Sequence, residues 1–238
     1  IPGKNLIDVG GKPMIAWSIL TAQESIADRV IVSTDDNDIA WVSKQYGAEI
    51  LMRPKCISDD LSSDYEWCLH MIMYLDPHIP DIIIQLRPTH PDRNVHIVNS
   101  AIRTMMQYVN VVDSLRSVSK ASQTPYKMWH IVNRMVDTED PMYRTMSLDI
   151  LEPVMDHLDG IPEPYNVARQ SLPIVYRQNG YIDITKSSTV LNKHSMTGTV
   201  ILPFIIDEDT IEIDYTSDVE EIEKRVMGKA THAVPFPA

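Results

Sequence analysis

Apolar and polar residues alternate along this chain in blocks. Val30-Ile31-Val32-Ser33-Thr34 and Ile82-Ile83-Ile84-Gln85-Leu86 are short, almost continuous apolar runs, the pattern of strands buried on both faces. Asp35, Asp36, Asn37 and Asp38 follow the first run. Short polar side chains of this kind suit a turn and a helix N-cap, so the pattern predicts a helix over 39–46 with Gly47 closing it. After the second run comes a Pro-rich loop, then a helical stretch from about 95 to 108, and residues 111–118 continue the rhythm. Strands alternating with helices predict an α/β fold with a mainly parallel central sheet. Ligands in such folds bind beyond the carboxyl ends of the strands. The polar clusters after the strands are therefore where chemistry is sought.

The stretch 119–173 breaks the rhythm. It is rich in Met, Pro and Tyr, its elements look short, and it reads as an inserted lid or dimerisation arm in a domain spanning 1–227. Met128, Trp129, Met135, Met142, Tyr143 and Met146 would make an apolar surface if left exposed. The tail 228–238 has two prolines and little periodicity, and little order is expected there.

Composition narrows the function classes. A chain of 238 residues with 44% apolar residues and net charge −12 is globular and acidic. A basic nucleic-acid surface is excluded at this charge, so an anionic ligand needs a local basic pocket. No apolar run approaches the roughly 20 residues of a membrane span. Cys56 and Cys68 show neither metal-site spacing nor a disulfide framework, Cys68 reads as a core thiol, and a cytoplasmic setting is expected.

Five constellations could carry chemistry. Lys4 and Asn5 in a Pro/Gly loop could meet a phosphate and a sugar hydroxyl or base, although a surface loop would carry the same residues. Arg53-Pro54 with Ser58, Asp59, Asp60, Ser62 and Ser63 could fork onto a pyrimidine or phosphate, or the small residues could cap a helix starting near Ser63. Arg87, His90 and Arg93 cluster in the loop after the second buried strand, stiffened by Pro88 and Pro91, and suit a carboxylate or phosphate. Arg169-Gln170-Ser171-Leu172-Pro173 precedes Asn179-Gly180, which suggests a turn with positive φ leading into an alternating strand that holds Tyr181 and Asp183 on one face. In Ile211-Glu212-Ile213-Asp214, strand alternation would set two carboxylates side by side, as Mg²⁺ ligation with substrate phosphates requires, or as a solvated edge strand would allow. Ser217 and Glu220 have capping-box spacing for a following helix.

The order of these segments resembles the acylneuraminate cytidylyltransferases, the CMP-sialic acid synthetases. That family carries P-x-K-N, S-T-D, R-P with a downstream S-x-D, Q/R-P-T-x-P-x-R, R-Q-x-L-P, N-G and I-D-I-D motifs in turn. Here they stand as Pro2 to Asn5, Ser33 to Asp35, Arg53-Pro54, Arg87 to Arg93, Arg169 to Pro173, Asn179-Gly180 and Ile211 to Asp214.

The resemblance implies a Rossmann-type fold, a homodimer, and CMP transfer from CTP to an acidic nine-carbon sugar with Mg²⁺ (or Mn²⁺). It implies Lys4 near the phosphates, Asn5 and Arg53 near the nucleoside, and Ser62 and Ser63 closing over the base. Arg87, Arg93, Arg169, Gln170, Asn179 and Asp183 become acceptor-sugar residues, and Glu212 and Asp214 the metal pair, with Lys4 assisting catalysis.

Glu212 replaces the usual Asp, Asp183 a frequent Tyr and Arg87 a common Gln. The last two suggest a relative of sialic acid, such as a legionaminic- or pseudaminic-type sugar, or another 2-keto-3-deoxy acid. The family's first strand and Gly-rich loop would precede Ile1, so the natural chain is expected to extend about 15–25 residues upstream. A cytidylyltransferase for an eight-carbon sugar acid, or a nucleotide-sugar-binding relative without turnover, is the competing reading.

Overall fold

The computed structural model describes residues 3–59, 61–137, 142, 145–207, 211–213 and 215–230. In chain order the elements are β1 (Asp8–Val9), β2 (Lys12–Pro13), α1 (Met14–Glu24), β3 (Ile31–Thr34), α2 (Asn37–Gln45), β4 (Glu49–Met52), α3 (Asp64–Leu75), β5 (Ile82–Gln85), α4 (Val95–Gln107), β6 (Ser114–Lys120), β7 (Trp129–Asp137), β8 (Thr145–Pro153), β9 (Tyr176–Lys186), α5 (Ser187–Lys193), β10 (Ile201–Ile205) and α6 (Thr216–Ala230). They form two units, Ile1–Val118 with Gln178–Ala238, and Ser119–Arg177.

The caps follow from the sequence. Asp36 accepts from the backbone N–H groups of Asp38 and Ile39 at the start of α2, and Gly47 after its end stands at φ 82°, where a glycine carries no Cβ penalty. Asn94 caps α4 by accepting from His96 N. Ser63 and Glu66 form a reciprocal capping box on α3. Helix α6 starts at Thr216, so Ser217 lies in its first turn and forms no capping box with Glu220. The Asp218 carboxylate instead accepts from Tyr215 N at 2.7 Å.

The main sheet has the order β10-β6-β9-β5. It is mixed, not mainly parallel: β10 runs parallel to β6, whereas β5 runs antiparallel to β9. The chain enters β9 from the second unit, so the simple strand–helix–strand crossover that enforces parallel pairing does not operate there. Strands β3 and β4 form a separate parallel pair. Residues 211–213, expected as a strand, join no ladder. Ile213 N donates to Thr89 O at 3.0 Å, and Ile213 packs in a core cluster with Val9, Met14 and Ile222.

Two helices cover the main sheet. Val98, Ala101, Ile102 and Met105 of α4 pack on Leu115, Ile182 and Ile184. Cys68, Met71, Ile72 and Leu75 of α3 pack on Ile83, Leu51 and Val190. Both sets follow the i, i+3, i+4, i+7 spacing of one helix face. Burial, helped by the Asp64 charge, pushes the Cys68 thiol up to about 12, so it behaves as a small core hydrophobe. Because strand residues alternate, Ile82 and Ile84 face α4 while Ile83 and Gln85 face α3. The register pairs Ile83 with Thr185 and Gln85 with Asp183. In the second unit β7 and β8 form a nine-residue antiparallel hairpin. No described helix is long and apolar enough to cross a membrane.

Candidate active site

The loop after β5 organises the site. Arg93 is buried (6% exposed) beneath it. Its Nε donates to Tyr181 O at 2.7 Å, and its Nη1 to Ser18 Oγ at 2.8 Å and His90 O at 3.2 Å. Burial pulls its pKa down to about 10, with Tyr181, Asp92 and Glu212 supporting the charge. Arg93 therefore pins the loop from below through Nε and Nη1, which reach β9, α1 and the loop itself, while its buried Nη2 has no partner among the described residues. His90, also buried, reaches Asn179 O through Nε2 at 2.9 Å and packs its ring 5.8 Å from that of Tyr181.

Above this anchor three segments meet. A Cβ placed on Gly180 would lie 3.5 Å from His90 Nε2, 3.8 Å from Arg87 Cδ and 3.8 Å from Glu212 Oε1. Gly180 stands at φ 66° within β9, so the Asn179-Gly180 pair is an irregularity inside a strand, where a turn before a strand was expected. The bare backbone lets the three side chains converge. Glu212 is exposed and accepts from Thr89 Oγ1 at 3.0 Å. Arg87 Nη2 donates to Asp64 Oδ2 at 2.6 Å. Burial alone would raise the Asp64 carboxyl, but hydrogen bonds from Trp67, Arg87 and Gln85, with the Arg87 charge, hold it below the ordinary range.

Asn179 is buried, its Oδ1 accepting from Ser117 Oγ at 2.6 Å and Tyr181 N at 3.2 Å. Asp183 accepts from Arg116 Nε at 3.1 Å and Gln178 Nε2 at 3.2 Å. Lys4 and Asn5 sit in a 3-10 turn after Gly3, both partly buried. Arg53 pairs with Asp35 at 3.3 Å, while its buried Nε has no partner among the described residues. Ser62 Oγ donates to Asp59 Oδ1 at 3.0 Å, and Ser63 caps α3. The Ser62 hydroxyl is thus tied into the loop before that helix and the Ser63 hydroxyl into its first turn, on Glu66.

Arg169 and Gln170 belong to the second unit. They are exposed in a 3-10 turn, Arg169 donating to Ser122 O, and with Lys120, Thr124, Leu172 and Pro173 they line a cavity of about 380 Å³. Asp214 lies outside the described residues, and among those described no three His, Cys, Asp or Glu groups gather as a metal cluster. A solvated carboxylate such as Glu212 still suits a hard cation, because Mg²⁺ needs only one or two protein carboxylates beside substrate phosphates and water.

Sequence reasoning missed Asp64, Arg116 and Gln178. The Arg116 signal was present in Ser114-Leu115-Arg116-Ser117-Val118, where a charged residue interrupts a strand that should be buried.

A family profile described as cytidylyltransferase matches residues 1–141, more than half of the chain. The chain belongs to the cytidylyltransferase family. Within that family it is acylneuraminate cytidylyltransferase-like, as its relatives indicate. The N-acylneuraminate cytidylyltransferase of Escherichia coli O18:K1:H7 is 28% identical over 91% of this chain. This chain spans about half, 46%, of that relative's length. The CMP-N,N'-diacetyllegionaminic acid synthase of Legionella pneumophila is 26% identical over 92% of this chain and 87% of its own. A solved CMP:2-keto-3-deoxy-manno-octonic acid synthetase complexed with CTP superposes with a TM-score of 0.65 at 17% identity, covering 97% of this chain and 93% of that one. The cytidylyltransferase fold here is thus Rossmann-like.

Proposed function

We propose that this protein transfers CMP from CTP to the anomeric hydroxyl of a sialic-acid-like nonulosonic acid, releasing pyrophosphate. The observation that carries this reading is the convergence of Arg87, His90 and Glu212 on Gly180, at the end of β5, in a chain of the cytidylyltransferase family. The sugar hydroxyl forms a bond to the α-phosphorus as the bond to the bridging oxygen breaks. An in-line displacement of this kind calls mainly for positioning and charge neutralisation.

Arg87, held by Asp64, offers its guanidinium to the acid group of the sugar. Asn179 and Arg93 shape the acceptor strand and loop; Arg169 and Gln170, which the resemblance gives as acceptor residues, lie in the second unit. Lys4 and Asn5 serve the phosphates and nucleoside. Arg53, whose buried Nε has no partner among the described residues, serves the nucleotide, and the Ser62–Ser63 loop closes over the base. Glu212 and Asp214 would hold Mg²⁺ (or Mn²⁺), which would neutralise charge on the phosphates.

The relatives named for neuraminate and legionaminic acid favour a nonulosonic acceptor. The solved relative named for an octonic acid favours the second reading, an eight-carbon sugar acid. Pyrophosphate release with CTP and a panel of both acid types separates them.

The β7–β8 hairpin supports a homodimer. Ile131, Met135 and Leu151 are 74%, 66% and 60% exposed. Trp129, Ile131 and Met135 share one face with Leu151 by register. The same face also carries Asn133, Asp149 and Ser147, yet exposed apolar side chains clustered in this way are rarely left in water. Met128, Met142 and Met146 are exposed as well, whereas Tyr143 lies outside the described residues.

A further inference from the structure

We infer that Arg116 is a specificity-determining residue, reading an acylamido carbonyl of the sugar, and that Asp183 is the residue that positions it. This rests on the acceptor reading above.

Both oxygens of Asp183 already accept from protein donors, Arg116 Nε at 3.1 Å and Gln178 Nε2 at 3.2 Å. The Asp183 side chain is only 11% exposed, while that of Arg116 is 30% exposed. Of the pair, the guanidinium is the member a ligand reaches. Its engagement through Nε leaves the Nη1–Nη2 edge without a hydrogen bond to any described residue. That edge is a planar donor fork suited to a carbonyl or carboxylate.

The chemistry around it selects between the two. Arg116 is neutralised by Asp183 and Arg87 by Asp64. Charge balance alone does not tell the two apart; with the single carboxylate of the sugar assigned to Arg87, the Arg116 fork is left for a neutral acceptor such as an amide oxygen. Beside the pair, on the α3 side of the sheet, lies a cavity of about 20 Å³ lined by Arg116, Asp183, Thr185, Ile83 and Met196. It has room for about one water-sized group, the size of an acyl methyl.

The experiment compares two acceptors that differ only in bearing an acylamido group or a hydroxyl at one carbon, using the full-length natural protein, CTP and Mg²⁺. Wild type prefers the acylamido sugar. Arg116→Met raises KM for that sugar about tenfold, the loss expected for one charge-assisted hydrogen bond, with KM for CTP and for the hydroxyl analogue unchanged. Arg116→Lys, which keeps the charge, recovers part of the loss. Asp183→Asn gives a weaker form of the same defect, and the double variant Arg116→Met/Asp183→Asn is no worse than Arg116→Met. An unchanged acyl preference in Arg116→Met, or an Asp183→Asn penalty that persists in the Arg116→Met background, overturns the inference. Failure of wild type to release pyrophosphate with any sugar acid would instead overturn the function on which it rests.

Discussion

Thr89 Oγ1 donates to Glu212 Oε1 at 3.0 Å, joining residues 123 positions apart. The bond orients the exposed Glu212 carboxylate beside Gly180. A hydrogen bond to a charged group contributes about 1.5–3 kcal/mol. Thr89→Val should therefore lower kcat about tenfold with little change in KM for CTP, and Glu212→Gln should lower it by ~100-fold or more. Steady-state kinetics on both variants checks the order; a Thr89→Val loss equal to that of Glu212→Gln would give Thr89 a direct role.

Arg93 and Arg87 should separate stability from activity. Arg93→Met leaves the Tyr181 and His90 carbonyls and the Ser18 hydroxyl without their donor, at about 1–3 kcal/mol each. Urea unfolding should show a loss of ~3 kcal/mol or more. Arg87→Met breaks a partly exposed ion pair and should cost less than about 1 kcal/mol while raising KM for the acceptor. Equal stability losses in the two variants would contradict the assignment of Arg93 to the scaffold.

Asp113 gives the fold a titratable clamp. Lys193 Nζ lies 2.7 and 2.8 Å from its two oxygens, and Thr199 N and Val200 N donate to Oδ2 at 2.8 and 3.0 Å. The Lys193 bond first, then those of Val200 and Thr199, hold its carboxyl well below the ordinary carboxylate range. In the unfolded chain it titrates near about 3.9. Between the folded and unfolded values the unfolded state binds more protons. The clamp's contribution is full above about pH 4 and is lost as pH falls through the lower folded value. Asp113→Asn should lower Tm at neutral pH, and its deficit against wild type should shrink in strong acid. A deficit independent of pH would show that charge is not what Asp113 contributes.

The apolar face of the β7–β8 hairpin should carry self-association. Wild type should run as a dimer by light scattering at micromolar concentration. Ile131→Lys with Leu151→Glu, cross-strand partners on that face, should give a folded monomer. A monomeric wild type would remove the homodimer from the account.

Much of this was legible because the signals are local. The strand runs before Asp35 and Arg87, the caps at Asp36 and Ser63, and the glycines at 47 and 180 act within a few residues of themselves. The direction of β9 was not legible, because it depends on where the 119–177 unit returns the chain. The same distance hid the partners of Asp183. Its pairing with Arg116 spans 67 positions, and only folding shows that its oxygens are already occupied. Residues 211–213 have strand periodicity, yet a single backbone bond to Thr89 and the burial of Ile213 hold them without a ladder.

The central claim is CMP transfer, and pyrophosphate release tests it most directly. The full-length natural protein, with CTP, Mg²⁺ and a panel of nonulosonic and octulosonic acids, should release pyrophosphate only when CTP and a nonulosonic acid are both present. Asp214→Ala should lower that rate by ~100-fold or more with an unchanged circular dichroism spectrum. Release confined to the eight-carbon acid, no release with any acid, or wild-type turnover by Asp214→Ala would contradict the account.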